Sequence, residues 1–74
     1  MEVKMFCEIM NRIRRNTKAA GYEKEDVSVR VDLINGDTIL FNLANYGLLD
    51  DYIEASDDEK IYFIPIKNIV SIEI

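Results

Sequence analysis

Apolar side chains recur every three or four residues at the start of the chain and every second residue further on. Over residues 2–20 they fall on one helical face, which predicts an amphipathic helix that stops at Gly21. That face consists of Val3, Phe6, Met10, Ile13, Thr17 and Ala20, and is widened by Met5 and Ile9. Residues 21–26 are polar and predict a linker, and the alternation over 27–74 predicts β-strands.

Five short strands are predicted after the linker. Residues 27–33 alternate, and Asn35 and Gly36 then predict a hairpin turn with both residues at positive φ. The later strands are predicted at 37–43, 48–55, 60–66 and 68–74, of which 60–66 is apolar enough for burial on both faces. We expect a single domain over 1–74, mainly β with one N-terminal helix, whose five strands form a strongly bent small barrel. Its core should include Val29, Val31, Ile39, Phe41 and Phe63.

The amino-acid composition excludes several kinds of catalytic and metal-binding site. The 74 residues include no His and one Cys, so neither an imidazole base nor a thiolate metal site is available. No glycine-rich phosphate loop is present, and we expect neither an enzyme nor a cofactor, metal or small-molecule substrate. No apolar run is long enough to span a bilayer, so we expect a cytoplasmic protein without membrane contact. Cys7 is interpreted as a buried thiol, and the acidic residues of 50–59 as a solvated face.

Charge is distributed unevenly along the chain. Residues 1–24 contain six basic and three acidic side chains, whereas 25–74 contain three basic and eleven acidic ones. Four of the cations, Arg12, Arg14, Arg15 and Lys18, lie close together near the end of the predicted helix. Guanidinium groups bind phosphate through paired hydrogen bonds, which makes these residues a candidate phosphate-binding surface. The alternative is a solvated helix face that favours the negative helix terminus.

Several segments resemble the Sm-like family, most closely its bacterial Hfq branch. They are NRIRRNTK (11–18), VSVRVDLINGDTIL (27–40), Tyr46 in the loop after the second strand, and FIPIKNIVSI (63–72). The resemblance implies a homomeric ring, in which strand four of one subunit pairs with strand five of the next, and single-stranded RNA as a partner. It also implies that Tyr46 stacks on a base and that Lys67 and Asn68 line a pore. In the alternative interpretation Tyr46 packs on the barrel, and Lys67 and Asn68 only form a turn.

Two apolar strand edges support self-association, because open apolar edges promote aggregation. The candidate interface residues are Ile61, Phe63, Ile64, Ile66, Val70, Ile72 and Ile74. Two functions follow as hypotheses. The first is an Sm-like ring that binds RNA through the basic helix and the pore loops. The alternative is a structural or protein-interaction ring that binds no nucleic acid, which the acidic strand region favours.

Overall fold

The first element of the computed structural model, which describes residues 1–74, is the predicted helix. Helix α1 spans Val3–Ala19. Gly21 has a φ of 86°, in the left-handed region, and its N–H donates to the Lys18 carbonyl at 3.0 Å. The Tyr22 N–H donates to the Thr17 carbonyl at 3.0 Å. These two hydrogen bonds form a Schellman motif, which is why glycine stops the helix here.

One face of α1 is buried, as the spacing predicts. Phe6, Met10 and Thr17 are buried. The Thr17 hydroxyl donates to the Arg14 carbonyl at 3.1 Å, so this buried polar group has a partner. The margins of the face differ from the prediction, because Met5 is 51% exposed and Ala20 is also exposed.

Six strands follow the helix and form two antiparallel sheets. They are β1 (Ser28–Leu33), β2 (Thr38–Asn42), β3 (Tyr46–Leu49), β4 (Tyr52–Ser56), β5 (Ile61–Pro65) and β6 (Ile69–Glu73). The first sheet has the order β2-β1-β6 and the second has the order β3-β4-β5. Single turns of 3-10 helix cover Lys24–Asp26, in the predicted linker, and Ile66–Asn68. The chain is therefore mainly β with one N-terminal helix, but the predicted five-stranded bent barrel is wrong, because the sheets are separate and no barrel closes.

The sixth strand results from a tight turn that the sequence pattern did not predict. The predicted strand 48–55 contains a turn at Asp50 and Asp51, across which Leu49 pairs with Tyr52. Asp50 has a φ of 53°, a left-handed conformation that aspartate tolerates better than most residues. A second turn separates β2 from β3, where the Asn42 side-chain oxygen accepts a 2.8 Å hydrogen bond from the Ala44 N–H. The chain therefore leaves the first sheet before the second begins.

The hairpin between β1 and β2 forms where it was predicted, with a different turn. The Gly36 N–H donates to the Leu33 carbonyl at 2.9 Å, and the Leu33 N–H donates to the Asp37 carbonyl at 2.8 Å. Gly36 has a φ of 91°, but Asn35 does not have a positive φ. The prediction of two left-handed residues is therefore wrong. The connection is the longer type, in which one left-handed residue follows an ordinary turn.

The core lies between the helix and the two sheets. Its buried apolar residues are Phe6, Met10, Val27, Val29, Val31, Phe41, Leu43, Ile53, Ala55, Ile64, Ile66 and Ile69. Val29, Val31 and Phe41 are confirmed as core residues, and Ile39 is half-buried. Phe63 was predicted in the core but is 63% exposed. It lies on the outer strand β5 opposite Glu54, so it faces away from the core, and the prediction of burial on both faces of 60–66 is wrong.

A cluster of three aromatic rings joins the helix to both sheets. The Tyr46 ring of β3 lies 6.3 Å from the Phe6 ring of α1 in an edge-to-face arrangement, measured between centroids. The same ring lies 5.8 Å from the Phe41 ring of β2. Aromatic pairs at such separations add to the stabilisation that burial provides. This cluster fixes the position of α1 relative to the two sheets.

The outer face of the first sheet is connected by one carboxylate. Asp32 on β1 accepts hydrogen bonds from the Thr38 hydroxyl of β2 and the Ser71 hydroxyl of β6, both at 2.8 Å. The Arg30 Nε donates to the same carboxylate at 3.1 Å. The hydrogen bonds from Thr38 and Ser71, followed by Arg30, hold the pKa of Asp32 below its ordinary value. Asp32 therefore links all three strands of this sheet.

Truncation of Phe41 tests the position of the core. We expect Phe41→Ala to lower the free energy of unfolding by about 3 kcal/mol, because it leaves a cavity between the helix and the sheets. Leu40→Ala is the matched control, since Leu40 is 55% exposed on the same strand, and it should cost less than about 1 kcal/mol. Urea unfolding followed by circular dichroism measures both values. Equal losses in the two variants would contradict this placement of the core.

Acid unfolding tests the Asp32 network. Because the folded-state pKa is lower than the unfolded one, the stabilisation is complete above about pH 4 and is lost as the pH falls through the folded-state pKa. We expect Asp32→Asn to destabilise the protein at neutral pH and to reduce the fall in unfolding free energy below about pH 4. Asp26→Asn, at an exposed carboxylate without a side-chain hydrogen bond, is the control. An unchanged acid dependence in Asp32→Asn would refute the role of the network.

Candidate functional site

The four predicted phosphate-binding cations are all exposed on α1. Arg14 and Lys18 are four residues apart and therefore neighbours on the helix surface, whereas Arg12 is turned away from both and Arg15 lies between Arg12 and Lys18. The Arg14 guanidinium carbon lies over the Tyr46 ring, 4.9 Å from its centroid. This cation–π contact holds the Arg14 head group against the body of the protein.

A cationic cleft opens at the C-terminal end of α1. It has a volume of about 420 Å³, and its walls include Arg14, Lys18, Lys24 and Tyr22. The Tyr22 side chain is 63% exposed, so its ring is accessible. Glu23 is the one carboxylate in the lining. The three cations can pair with an anionic group, and the accessible Tyr22 ring can stack on a planar group of the same ligand.

Only part of this cleft was predictable from the sequence pattern. Arg14 and Lys18 were predicted as candidates, whereas Tyr22 and Lys24 lie in the predicted linker and were not. The Schellman turn at Gly21 reverses the chain, and this reversal brings the linker side chains beside the end of the helix. The sequence feature that could have predicted this cleft is Tyr22, an aromatic residue directly after the glycine that ends the helix.

Tyr46 is the first residue of β3 rather than part of a loop. It is half-buried, and burial raises the pKa of its phenol above the ordinary value, while the Arg14 charge opposes this shift. The guanidinium covers one face of the ring. A nucleobase that stacked on that face would have to displace Arg14.

Lys67 and Asn68 lie at the opposite end of the helix from the cationic cleft. The N-terminal ammonium of Met1 donates to the Lys67 carbonyl at 3.3 Å and to the Ile69 carbonyl at 3.0 Å. At 1.5 Å per residue, the eleven steps from Val3 to Arg14 span roughly 17 Å of helix. The structure therefore does not bring the predicted nucleic-acid residues into one site.

The outer strands β5 and β6 expose large apolar side chains and form the second candidate site. Strand β6 is an outer strand of the first sheet and β5 is an outer strand of the second. Ile61, Phe63, Val70 and Ile74 are 62–67% exposed on these strands or at their ends. Ile72 is half-buried, while Ile64 and Ile66 lie in the core. Four of the seven candidate interface residues are thus free to contact another molecule.

The acidic residues of 50–59 do not form a metal centre, and no group of three or more His, Cys, Asp or Glu side chains is placed to bind a metal ion. The Asp57 carboxylate accepts hydrogen bonds from the Glu59 and Lys60 N–H groups, both at 2.8 Å. These hydrogen bonds lower the pKa of Asp57, and they show that its carboxylate stabilises the turn before β5. Cys7 is a half-buried free thiol. The one α-helix is too short and too polar to cross a membrane.

Comparison of the chain with family models, curated proteins and solved structures found no match. The Sm-like resemblance therefore stays a prediction from the residues that carry it. The observations that bear on function are the two apolar strand edges and the cationic cleft of this chain.

Proposed function

We propose that this protein is a self-assembling interaction domain whose copies join edge to edge, with β5 of one copy against β6 of the next. The observation that carries this proposal is that β5 and β6 are outer strands whose large apolar side chains are more exposed than those of the other outer strands, β2 and β3. An outer strand presents unpaired N–H and C=O groups, which a strand from another copy can satisfy. Burial of the apolar side chains adds a favourable free energy to each contact.

Charge favours an antiparallel contact. Lys60 directly precedes β5 and Glu73 is the last residue of β6. In an antiparallel arrangement the start of β5 lies beside the end of β6 in the next copy, so Lys60 meets Glu73. A parallel arrangement would instead bring Lys60 near Lys67, and like charges repel. Pro65 has no N–H, so pairing covers residues 61–64.

The contact joins two different surfaces, which determines the kind of assembly. When β5 of one copy pairs with β6 of a second, the first copy keeps a free β6 and the second keeps a free β5. A head-to-tail contact of this kind produces a ring if the rotation closes, and a filament otherwise. The predicted homomeric ring is the closed case.

Sedimentation velocity tests the assembly. At about 50 µM we expect a species well above the 8.6 kDa of one chain. Ile61→Asp or Val70→Asp should dissociate it, because either places an unpaired charge in an apolar contact. Leu40→Asp is the control, since Leu40 is similarly exposed but lies on β2. A monomeric wild-type protein at this concentration would contradict the proposal.

The cationic cleft supports a second candidate function, the binding of single-stranded nucleic acid. Arg14, Lys18 and Lys24 can pair with backbone phosphates, and the open Tyr22 ring can stack on a base. The six acidic residues between 46 and 65 would repel a polyanion from the second sheet. Binding would therefore be confined to the helix end of the molecule.

Charge reversal inside and outside the cationic cleft tests this second function. We expect wild-type protein to retain a short single-stranded RNA at about 50 mM salt and to release it at about 200 mM, because phosphate contacts release counterions. Lys18→Glu with Lys24→Glu should abolish binding. Arg12→Glu with Arg15→Glu makes the same change in net charge outside the cleft, and should weaken binding less. Equal losses in the two double variants, or no binding by the wild type, would refute the cleft as a nucleic-acid site.

A further inference from the structure

The outer face of the second sheet is an apolar surface whose side chains are identified by the strand register. Leu49, Tyr52 and Pro65 form one row across the sheet, and Gly47, Glu54 and Phe63 form the next. Ile53 and Ala55, which alternate with these positions on β4, are buried. Since alternate residues of a strand point to opposite faces, both rows point outward.

This face differs from its counterpart on the first sheet. The Tyr52 and Phe63 rings lie 6.3 Å apart between centroids, and Leu49 is 41% exposed beside them. The outer face of the first sheet instead carries the Asp32 hydrogen-bond network with Thr38 and Ser71. The outer face of the second sheet is therefore mainly apolar at these rows, whereas that of the first sheet carries a polar network.

A shallow cleft of about 280 Å³ adjoins the apolar rows, and its walls include Asn45, Gly47, Glu54 and Ser56. Gly47 has no side chain to fill it, and a Cβ built there would meet no atom within 4 Å. Glu54 is the only charged residue in the two rows. Its carboxylate is exposed and makes no ion pair or hydrogen bond within the chain. The cleft thus places a free carboxylate beside an apolar surface.

The charge around this face defines the complementary partner. Residues 46–65 contain six acidic side chains and one basic side chain, Lys60. An apolar surface with an acidic surround attracts a ligand that combines aliphatic side chains with cations and repels nucleic acid and acidic protein. An amphipathic helix can supply both groups on one side, and helices are the elements that cover exposed sheet faces in layered folds.

We propose that the outer face of the second sheet docks a basic amphipathic helix of a partner protein. Aliphatic side chains of that helix pack on Leu49, Tyr52 and Phe63. A lysine or arginine beside them enters the cleft at Gly47 and pairs with Glu54. This interaction uses the face of the sheet, whereas the proposed self-assembly uses the β5 and β6 edges.

Two synthetic peptides of about 18 residues test this docking. Both carry leucine on one helical face, flanked by lysine in one peptide and by glutamate in the other. Measured by fluorescence anisotropy, the leucine–lysine peptide should bind wild-type protein roughly tenfold more tightly than the leucine–glutamate peptide. Glu54→Lys should reverse this preference, and Gly47→Val, which places a branched side chain in the cleft, should weaken binding of the leucine–lysine peptide about fivefold.

Glu25→Lys is the matched control, because it makes the same charge change at an exposed glutamate outside the second sheet. If it weakens the leucine–lysine peptide as much as Glu54→Lys does, binding is general attraction to an acidic protein and the proposal is wrong. Without peptide, an amide chemical shift of Leu49 that changes with protein concentration would assign the face to a second copy and also overturn the proposal, because Leu49 lies on β3, two strands away from the β5 edge.

Sedimentation of the same variants separates this proposal from self-assembly. Glu54→Lys and Gly47→Val change neither β5 nor β6, so their assembly should match the wild type. Normal assembly with altered peptide binding supports a separate docking face. Loss of assembly in both variants, alongside loss of peptide binding, would show that the face belongs to the contact between copies and would overturn the docking proposal.

Discussion

The packing of Tyr46 against Phe6 and Phe41 is the interaction on which the arrangement of the molecule depends. The two sheets share no strand ladder. Backbone hydrogen bonds from the 3-10 turn at Ile66–Asn68 connect them at one end, and side-chain packing sets their relative position elsewhere. These three rings belong to α1, β2 of the first sheet and β3 of the second sheet, so their contacts join the helix and both sheets. Arg14, stacked on Tyr46, extends the same contact to the surface and positions the cationic end of the helix.

Because the two sheets are separate and do not close into a barrel, each has outer strands that pair on one side only. Strands β5 and β6 end their sheets with apolar residues exposed, and the outer face of the second sheet is apolar as well. The charges are segregated around these surfaces, with cations at the end of α1 and carboxylates around β3, β4 and β5. This separation is compatible with the proposed edge contact, nucleic-acid cleft and docking face on one small chain.

Local patterns predicted the helix, its stop at Gly21 and the first hairpin, because each depends on residues close together in sequence. The barrel was wrong because a turn at Asp50 divides an apparently continuous strand, and aspartate marks a left-handed turn less clearly than glycine. Phe63 was misplaced because a nearly all-apolar strand does not reveal which face is buried. The Tyr22 cleft and the Gly47–Glu54 cleft escaped sequence analysis because tertiary structure brings their residues together.

The central claim is that β5 and β6 complete each other between copies, and amide hydrogen exchange tests it most directly. The relevant groups are the N–H groups of these strands that make no hydrogen bond within the chain. In the assembled protein they should exchange slowly, like the N–H groups that pair β4 with β5. Rapid exchange of these outward groups, at a rate typical of exposed loops, would contradict edge-to-edge pairing.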